Sequence, residues 1–417
     1  MSLSLSELYR KAMNKGKETN KLDTEAQPDV AYPTGFLTFD YLNGNVIHVK
    51  NDHMDFKYDS VGVIDGSMVY AIGRSGCGKT TLLFQMAGNV IRPYDSSCIY
   101  YDNAEGGITD TRKRQLLKFH GDEISKRLIE RNTGITAESV YERIKVIHDL
   151  KMENKDAFTY DTGKYDYDGN KIYKFEPTIY LLDSLAMLTP EKYTEEEELS
   201  GQMSVTAAAK VNTTVFKRIV PMLKSANIIF MVVNHITESV DINPYAKQQG
   251  QLSYLKPNER LGGGRAAIYV ANLLIRLDDH SKMKDSEGLG INGSLVDVTL
   301  LKSRTAAAGS SITLVFDYAN GFDPDLSLFY FLKQQKLING AGAYLYFGER
   351  SDLKFAQKNF KSKLRTDPEF RQVVMDIAIP ALRELINDAE RAHEDEIDDF
   401  DLSTAILNSI NSSQIAA

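Results

Sequence analysis

Cysteine and proline are scarce and long apolar runs are missing, and each shortage removes a class of protein. The 417 residues include only two cysteines, Cys77 and Cys98. They give no disulfide framework and lack the spacing of a metal site. No run approaches the ~20 apolar residues that span a bilayer, and the first residues lack a signal-peptide core. A reducing cytoplasm is the expected setting, with no membrane as partner. With 11 prolines, 42% hydrophobic and 25% charged residues, the composition is that of an ordinary soluble globular protein. Repeats and long linkers are missing too.

A basic excess is also lacking. The net charge is −8, and residues 384–417 hold nine acids against one arginine, so the remaining chain is neutral. A neutral body can still gather Lys and Arg on one face, and nucleic acid therefore stays open as a partner. The acidic tail either shields such a face and repels competing polyanions, or only aids solubility.

From Pro33 onward, strand-like and helical stretches alternate. Strands are expected at Ser67–Ile72, Cys98–Asp102, Thr178–Asp183 and Asn227–Asn234, with helices from Lys79, near 109–130, 136–152 and 204–225. Such alternation predicts βαβ units around a parallel sheet. The runs Ile179–Leu182 and Ile228–Val233 are continuously apolar, as strands covered on both faces must be. Beyond residue 265, strands at Val270–Leu277, Ser294–Leu301 and Ser311–Phe316 lack intervening helices and predict an antiparallel extension of the sheet. Lys164–Phe175 alternates tyrosines with polar residues around Asp168-Gly169-Asn170, which predicts a β-hairpin insertion. A compact helical segment is expected over 327–393, with a helix broken or kinked at Pro380.

One segment carries specific chemistry. Gly73-Arg74-Ser75-Gly76-Cys77-Gly78-Lys79-Thr80 sits between an apolar strand and an apolar helix, the context a P-loop requires. Small residues let backbone N–H groups turn toward phosphate oxygens, and the helix start adds a positive field. Lys79 is expected to reach the β- and γ-phosphates of ATP and Thr80 to place its hydroxyl on Mg²⁺, with Thr81 next to it. Asp183 ends an apolar strand, where ligands bind in open α/β sheets, and is the candidate Mg²⁺ carboxylate; its other reading is a turn residue. Asp102 ends and Glu105 follows the strand after the P-loop helix, a strand expected to neighbour the P-loop. Either can polarise the attacking water, and either can instead cap the next helix. Asn234-His235 ends the next apolar strand, where polar side chains sense a γ-phosphate or serve a structural role.

Together these pieces resemble the RecA-type strand-exchange recombinases, especially their phage UvsX-type branch, over Thr34–Asp323. Thr34 to Asp40 resembles the family's segment before the P-loop strand. Tyr101 to Thr109 is similar to the segment bearing the catalytic glutamate, which selects Glu105, and Leu182 to Leu185 matches the Mg²⁺-side strand end. Asn234-His235 falls on the γ-phosphate sensor, where bacterial members carry Gln in place of His235. The resemblance implies an α/β fold: a RecA-like P-loop ATPase core with a mainly parallel twisted sheet, an antiparallel extension and a small helical C-terminal domain. The implied layout is an N-terminal polymerisation arm at 1–32, the core at 33–326, an α-rich domain at 327–393 and the acidic tail at 394–417.

Two long polar stretches gain meaning from this likeness. Glu191–Met203 and Ile236–Gly264 correspond to the family's two DNA-binding loops, and loops of that length are usually functional or disordered. The resemblance makes Lys247, Lys256, Arg260, Gly262, Gly263, Gly264 and Arg265 candidates for DNA phosphates. In the first loop the run Glu195–Glu198 suits DNA poorly, which leaves flanks such as Met203. Lys302-Ser303-Arg304, otherwise a surface charge cluster, aligns with the basic pair that reaches the ATP of a neighbouring subunit. Arg112 lies where relatives stack an aromatic on adenine. The implied activity is a DNA-dependent ATPase that forms helical filaments on single-stranded DNA and exchanges strands with a duplex. A single-strand-binding protein or loading mediator is a further partner. A hexameric helicase and a non-exchanging regulatory paralogue are the alternatives.

Overall fold

The computed structural model describes residues 29–51, 53–167, 169–191, 201–238, 255–256, 259–283, 291–340, 344–348 and 350–386. Its centre is a ten-stranded sheet. In chain order the sheet takes β1 (Met68–Gly73), β2 (Ile99–Asn103), β3 (Leu128–Arg131), β4 (Thr178–Asp183) and β5 (Ile228–Glu238). β6 (Glu259–Leu261), β7 (Leu273–Met283), β8 (Gly293–Ser303), β9 (Ser311–Asp317) and β10 (Gly321–Asp323) complete it. The spatial order is β10-β9-β8-β7-β1-β5-β4-β2-β3, with β6 laid antiparallel against the far end of β5. The six strands from β7 to β3 run parallel, and β8, β9 and β10 extend the sheet antiparallel.

β1 and β4 are buried at every position, because helices cover both faces of the parallel part. Alternate side chains feed two cores. Val69 and Ala71 join one core beneath α1 (Lys79–Ile91), while Met68, Tyr70 and Ile72 join another. That second core is roofed by α2 (Ala137–Glu153) and α3 (Gly201–Ala226). α2 starts from a capping box at Thr136 and Ser139, so its first backbone donors are satisfied locally.

Four expectations need correction. The helix expected near 109–130 is two short helices, Asp110–Leu117 and Glu123–Arg127, followed by the edge strand β3. Val270–Leu277 is not part of the antiparallel extension: a short helix, Ala266–Val270, precedes β7, and β7 runs parallel to β1. β2 does not neighbour the P-loop strand; β5 and β4 lie between them. The segment beyond 327 is not purely helical. Between helices Pro324–Gln334 and Phe360–Thr366 it carries a three-stranded antiparallel sheet, Ile338–Asn339, Leu345–Phe347 and Arg350–Phe355. Phe329, Phe347, Phe355, Phe360 and Phe370 pack as one aromatic cluster there, which gives these short strands a face to bury.

The insertion is a hairpin, Thr159–Tyr165 with Lys171–Phe175. A second hairpin that the sequence did not announce, Asn45–Asn51 with Met54–Ser60, packs Phe56 edge-on against Tyr165. Pro380 lies inside the helix Pro368–Arg383, which ends three residues later. The arm as far as residue 28, the run Glu195–Glu198 and the tail from 387 lie outside the described residues. Among the described residues, no helix is long and apolar enough to cross a membrane.

Candidate active site

β1 delivers Gly73 to the C-terminal edge of the sheet, and α1 leaves from Lys79. Gly78 is the N-cap at φ +88°, and no side chain caps the helix. The first backbone N–H groups are therefore left for an incoming anion. The glycines answer different demands. A Cβ on Gly73 would meet the Leu277 carbonyl oxygen at 2.5 Å, and one on Gly78 would meet Phe322 at 2.8 Å. Gly76 has open space around it but stands at φ +83°, a backbone region that L side chains rarely adopt. Arg74, Ser75 and Gly76 are exposed, Cys77 is buried, and Thr81 is half-buried.

Lys79 folds over this loop. Its Nζ donates to the carbonyls of Gly73 (3.0 Å) and Arg74 (2.7 Å) and reaches His235 Nδ1 at 3.4 Å. An ammonium can only donate, so Nδ1 must accept, and the neutral imidazole carries its proton on Nε2. Nε2 approaches Glu105 Oε1 to 2.8 Å without a hydrogen-bond geometry. Burial, and then the Lys79 charge, lower the His235 pKa, which favours this neutral form.

Asp183 is 3% exposed at the end of β4. Thr80 Oγ1 donates to its Oδ2 at 2.8 Å, while Oδ1 is buried with no hydrogen-bond partner. Burial raises this carboxyl to about 6. An unpartnered carboxylate oxygen beside a hydroxyl suits a hard, oxygen-seeking cation such as Mg²⁺. Thr80 and Asp183 are thus a fitting pair of holders.

Glu105 arrives here although its strand is remote from β1. The backbone N–H groups of Ala104 and Glu105 both donate to the Asp183 carbonyl, at 2.7 and 3.1 Å. This hook folds the segment after β2 across the end of β4. Ser184 Oγ then donates to Glu105 Oε1. Ligating atoms of Glu105, Asp183 and His235 consequently lie within 4.8 Å of one another. Asp102 points elsewhere: it is fully buried and held by Arg131, Arg143 and the Tyr180 hydroxyl.

Asn234 is buried beside β1. Its Nδ2 donates to the Tyr70 hydroxyl at 2.6 Å and to the Gly262 carbonyl at 2.9 Å. β5 continues past His235 to pair with β6, with Ile236 opposite Leu261 and Thr237 opposite Arg260. Arg260, Lys256 and Arg265 are exposed around this ribbon. The neighbouring glycines make room for close packing: a Cβ on Gly262 would meet Ala186 at 3.0 Å, on Gly263 Leu185 at 2.7 Å, and on Gly264 Ala209 at 3.0 Å. Lys247 lies outside the described residues; Met203 belongs to α3, in a stretch whose side chains are likewise outside them.

Two groups of candidates sit apart. Lys302 and Arg304 belong to the opposite edge of the sheet: Leu273 pairs with both Ser303 and Val69, whereas Leu277 pairs with Gly73. Lys302 Nζ donates there to the carbonyls of Ile268 and Tyr269, and Arg304 is exposed. Arg112 bonds the Ala319 carbonyl and, at 2.9 Å, Gln115 Oε1. The exposed Tyr318 beside Ala319 was not singled out from sequence. Neither were Arg276 and Glu259, which form a buried pair. A lone arginine inside the apolar run Leu273–Leu277 was the available signal.

No family model matches the chain. Its sheet, with a P-loop on the central strand and an antiparallel extension, forms an α/β RecA-like core. Over 265 residues it is 22% identical to the "Recombination and repair protein" of Enterobacteria phage T4, covering 63% of this chain and 56% of that protein. It is 21% identical over 195 residues to protein RecA of Thermotoga petrophila, covering 46% and 51% of the two chains. For protein RecA of Thermotoga neapolitana the identity is 21% over 200 residues, with coverage of 47% and 53%. The chain therefore spans just over half the length of these relatives. The likeness supports a distant relationship to the RecA-type recombinases.

Proposed function

We propose that this chain is an ATP-dependent recombinase, which assembles into helical filaments on single-stranded DNA and catalyses homologous pairing and strand exchange in recombination and repair. The observation that carries the reading is the continuity of β5. Its Asn234-His235 step lies beside Lys79 and Glu105, and the same strand runs on into the ribbon with β6. A change felt at the phosphate cradle is thereby passed to Ile236–Gly264.

In this reading Gly73 to Thr81 cradle the triphosphate, and Lys79 exchanges its loop carbonyls for phosphate oxygens. Thr80 and Asp183 would hold Mg²⁺, which would neutralise charge developing on the phosphates. Glu105, steadied by Ser184, takes a proton from the attacking water as the water oxygen bonds to the terminal phosphorus. The bond to the bridging oxygen then breaks, releasing ADP. Lys302 and Arg304, distant from the cradle of their own subunit, act on that of the next one, and such head-to-tail contacts build open filaments. Arg112 lies flat against the nucleobase. Lys247, Lys256, Arg260, Gly262, Gly263, Gly264, Arg265 and Met203 serve the single strand, and base pairing reads the duplex. Residues 1–32 act as the polymerisation arm of a core at 33–326, with an α-rich unit at 327–393 and an acidic tail at 394–417. The setting is the cytoplasm, that of the host if the chain is phage-encoded, with a single-strand-binding protein or mediator as loading partner.

Electron microscopy of the protein with single-stranded DNA and a non-hydrolysable ATP analogue tests this. Helical filaments that go on to pair a homologous duplex are expected. Closed rings that unwind DNA would make it a helicase instead, and free monomers would sink the proposal.

A further inference from the structure

The returning strand β6 is fastened at both ends from a single row of the sheet. Asn234, Ile72 and Arg276 stand side by side on β5, β1 and β7, since Asn234 pairs with Ile72 and Ile72 with Arg276. Asn234 holds the Gly262 carbonyl at 2.9 Å. Arg276 holds Glu259 with a two-pronged contact, Nη1 to Oε2 at 2.7 Å and Nη2 to Oε1 at 2.8 Å. Both partners are buried, Arg276 to 6% exposure and Glu259 to 2%. The fork geometry fixes direction as well as distance.

The pair is knitted into its surroundings on each side. Glu259 Oε2 also accepts the backbone N–H of Lys256 at 2.9 Å, and the Glu259 N–H donates to the Lys256 carbonyl at 2.9 Å. Arg276 Nε and Nη2 further bind Asp278 at 2.6 and 3.1 Å. Leu277, between them, pairs with Gly73 at the start of the phosphate loop. A buried ion pair is a poor source of stability compared with apolar packing, and such pairs are best attested as devices that fix register.

We infer that Arg276 is a positioning residue: with Glu259 it forms a fixed anchor for the stem of the 236–264 segment, against which movement at Asn234 and Gly262 is converted into a change at the DNA-binding side. The inference rests on the proposed function and deepens it. With the anchor in place, displacing the Asn234 end of β6 must rotate the strand about Glu259. Without it, β6 is held only by its pairing with β5 and travels with that strand, so the fixed point and the direction of movement are lost.

The test is a double variant, Glu259→Leu with Arg276→Met, which removes both charges together and leaves no buried ion unpaired. Asp278 keeps water contact, because its side chain is 39% exposed. The readout is the ratio of single-strand affinity with and without a non-hydrolysable ATP analogue, alongside hydrogen exchange of 235–238 and 259–264. The wild-type ratio is expected in the ordinary range of site-to-site coupling, about 5–150-fold. In the double variant it falls to within about twofold of unity, while analogue binding without DNA stays unchanged. The nucleotide-dependent exchange difference at 259–264 disappears with it. A variant that is merely less stable would lower its melting point and keep the ratio, which overturns the inference. Should the double variant fail to fold, Arg276→Lys, which keeps the charge and loses the fork, reads the same ratio with the same two outcomes. A wild-type ratio of one would overturn the functional proposal and this inference together; a normal wild-type ratio retained in the variants overturns the inference alone.

Discussion

Lys79 Nζ lies 3.4 Å from His235 Nδ1, so the P-loop lysine touches the strand that feeds the 236–264 segment. The contact fixes the imidazole tautomer and turns its protonated nitrogen toward Glu105. In the proposed function, nucleotide sensing and the activation of water would meet at this one ring.

Replacing Lys79 by Ala removes the donor from two loop carbonyls and from His235. ATP hydrolysis should fall by about 10²–10³, the scale lost when one preorganised donor to a developing charge is deleted. Steady-state phosphate release measures this, with circular dichroism to check folding.

Glu105→Gln keeps the shape of the side chain and its reach to Ser184 but cannot accept the proton. The hydrolysis rate should drop by about 10²–10⁴ with nucleotide affinity little changed. Equally slow hydrolysis by wild type and variant would favour a regulatory nucleotide binder.

Asp183 gives a pH signature. Its folded carboxyl sits near 6, above its ordinary 3.8, because burial disfavours the charge. The fold therefore favours the protonated form. The contribution to stability is fully present below pH 3.8 and is lost as pH rises through 6. At about 1.4 kcal/mol per pKa unit, the loss is on the order of 3 kcal/mol. Urea denaturation of the nucleotide-free protein should show Asp183→Asn gaining on wild type between pH 4.5 and pH 7.5. Added Mg²⁺ should narrow that gap at the higher pH by stabilising the ionised wild type.

Lys302 and Arg304 stand at the opposite sheet edge from Gly73. If they act on the next subunit, Lys79→Ala and Arg304→Ala proteins, each inactive alone, should complement one another. A 1:1 mixture should recover about a quarter of the wild-type rate, the share of random junctions joining an intact lysine to an intact arginine. A mixture as inactive as its parts would place Arg304 outside the reaction.

Much of this was legible in the sequence because parallel strands buried on both faces leave unbroken apolar runs, as at Ile179–Leu182 and Ile228–Val233. The cradle was legible because its glycines are demanded by backbone shape and close approach. Strand order was not: Glu105 reaches the site through a hook on the Asp183 carbonyl, and a backbone bond leaves no mark on residue identity. β3, Leu128 to Arg131, is too short for its period to stand out from the preceding helix, and the strands between 338 and 355 share that problem. Arg276 was missed altogether: a charge inside the apolar run Leu273–Leu277 was there to signal a buried partner, but nothing in residue identity says that the partner is Glu259.

The pairing of Ile236 with Leu261 has a mechanical corollary. Slippage of β6 by a single residue would turn each of its side chains to the other face, pulling Leu261 out of the apolar layer it shares with Ile236. Sliding is thereby forbidden and stretching is impossible for an extended backbone. A coupling of cradle and ribbon, as proposed, would then work as a stiff tilt, like an oar in its rowlock.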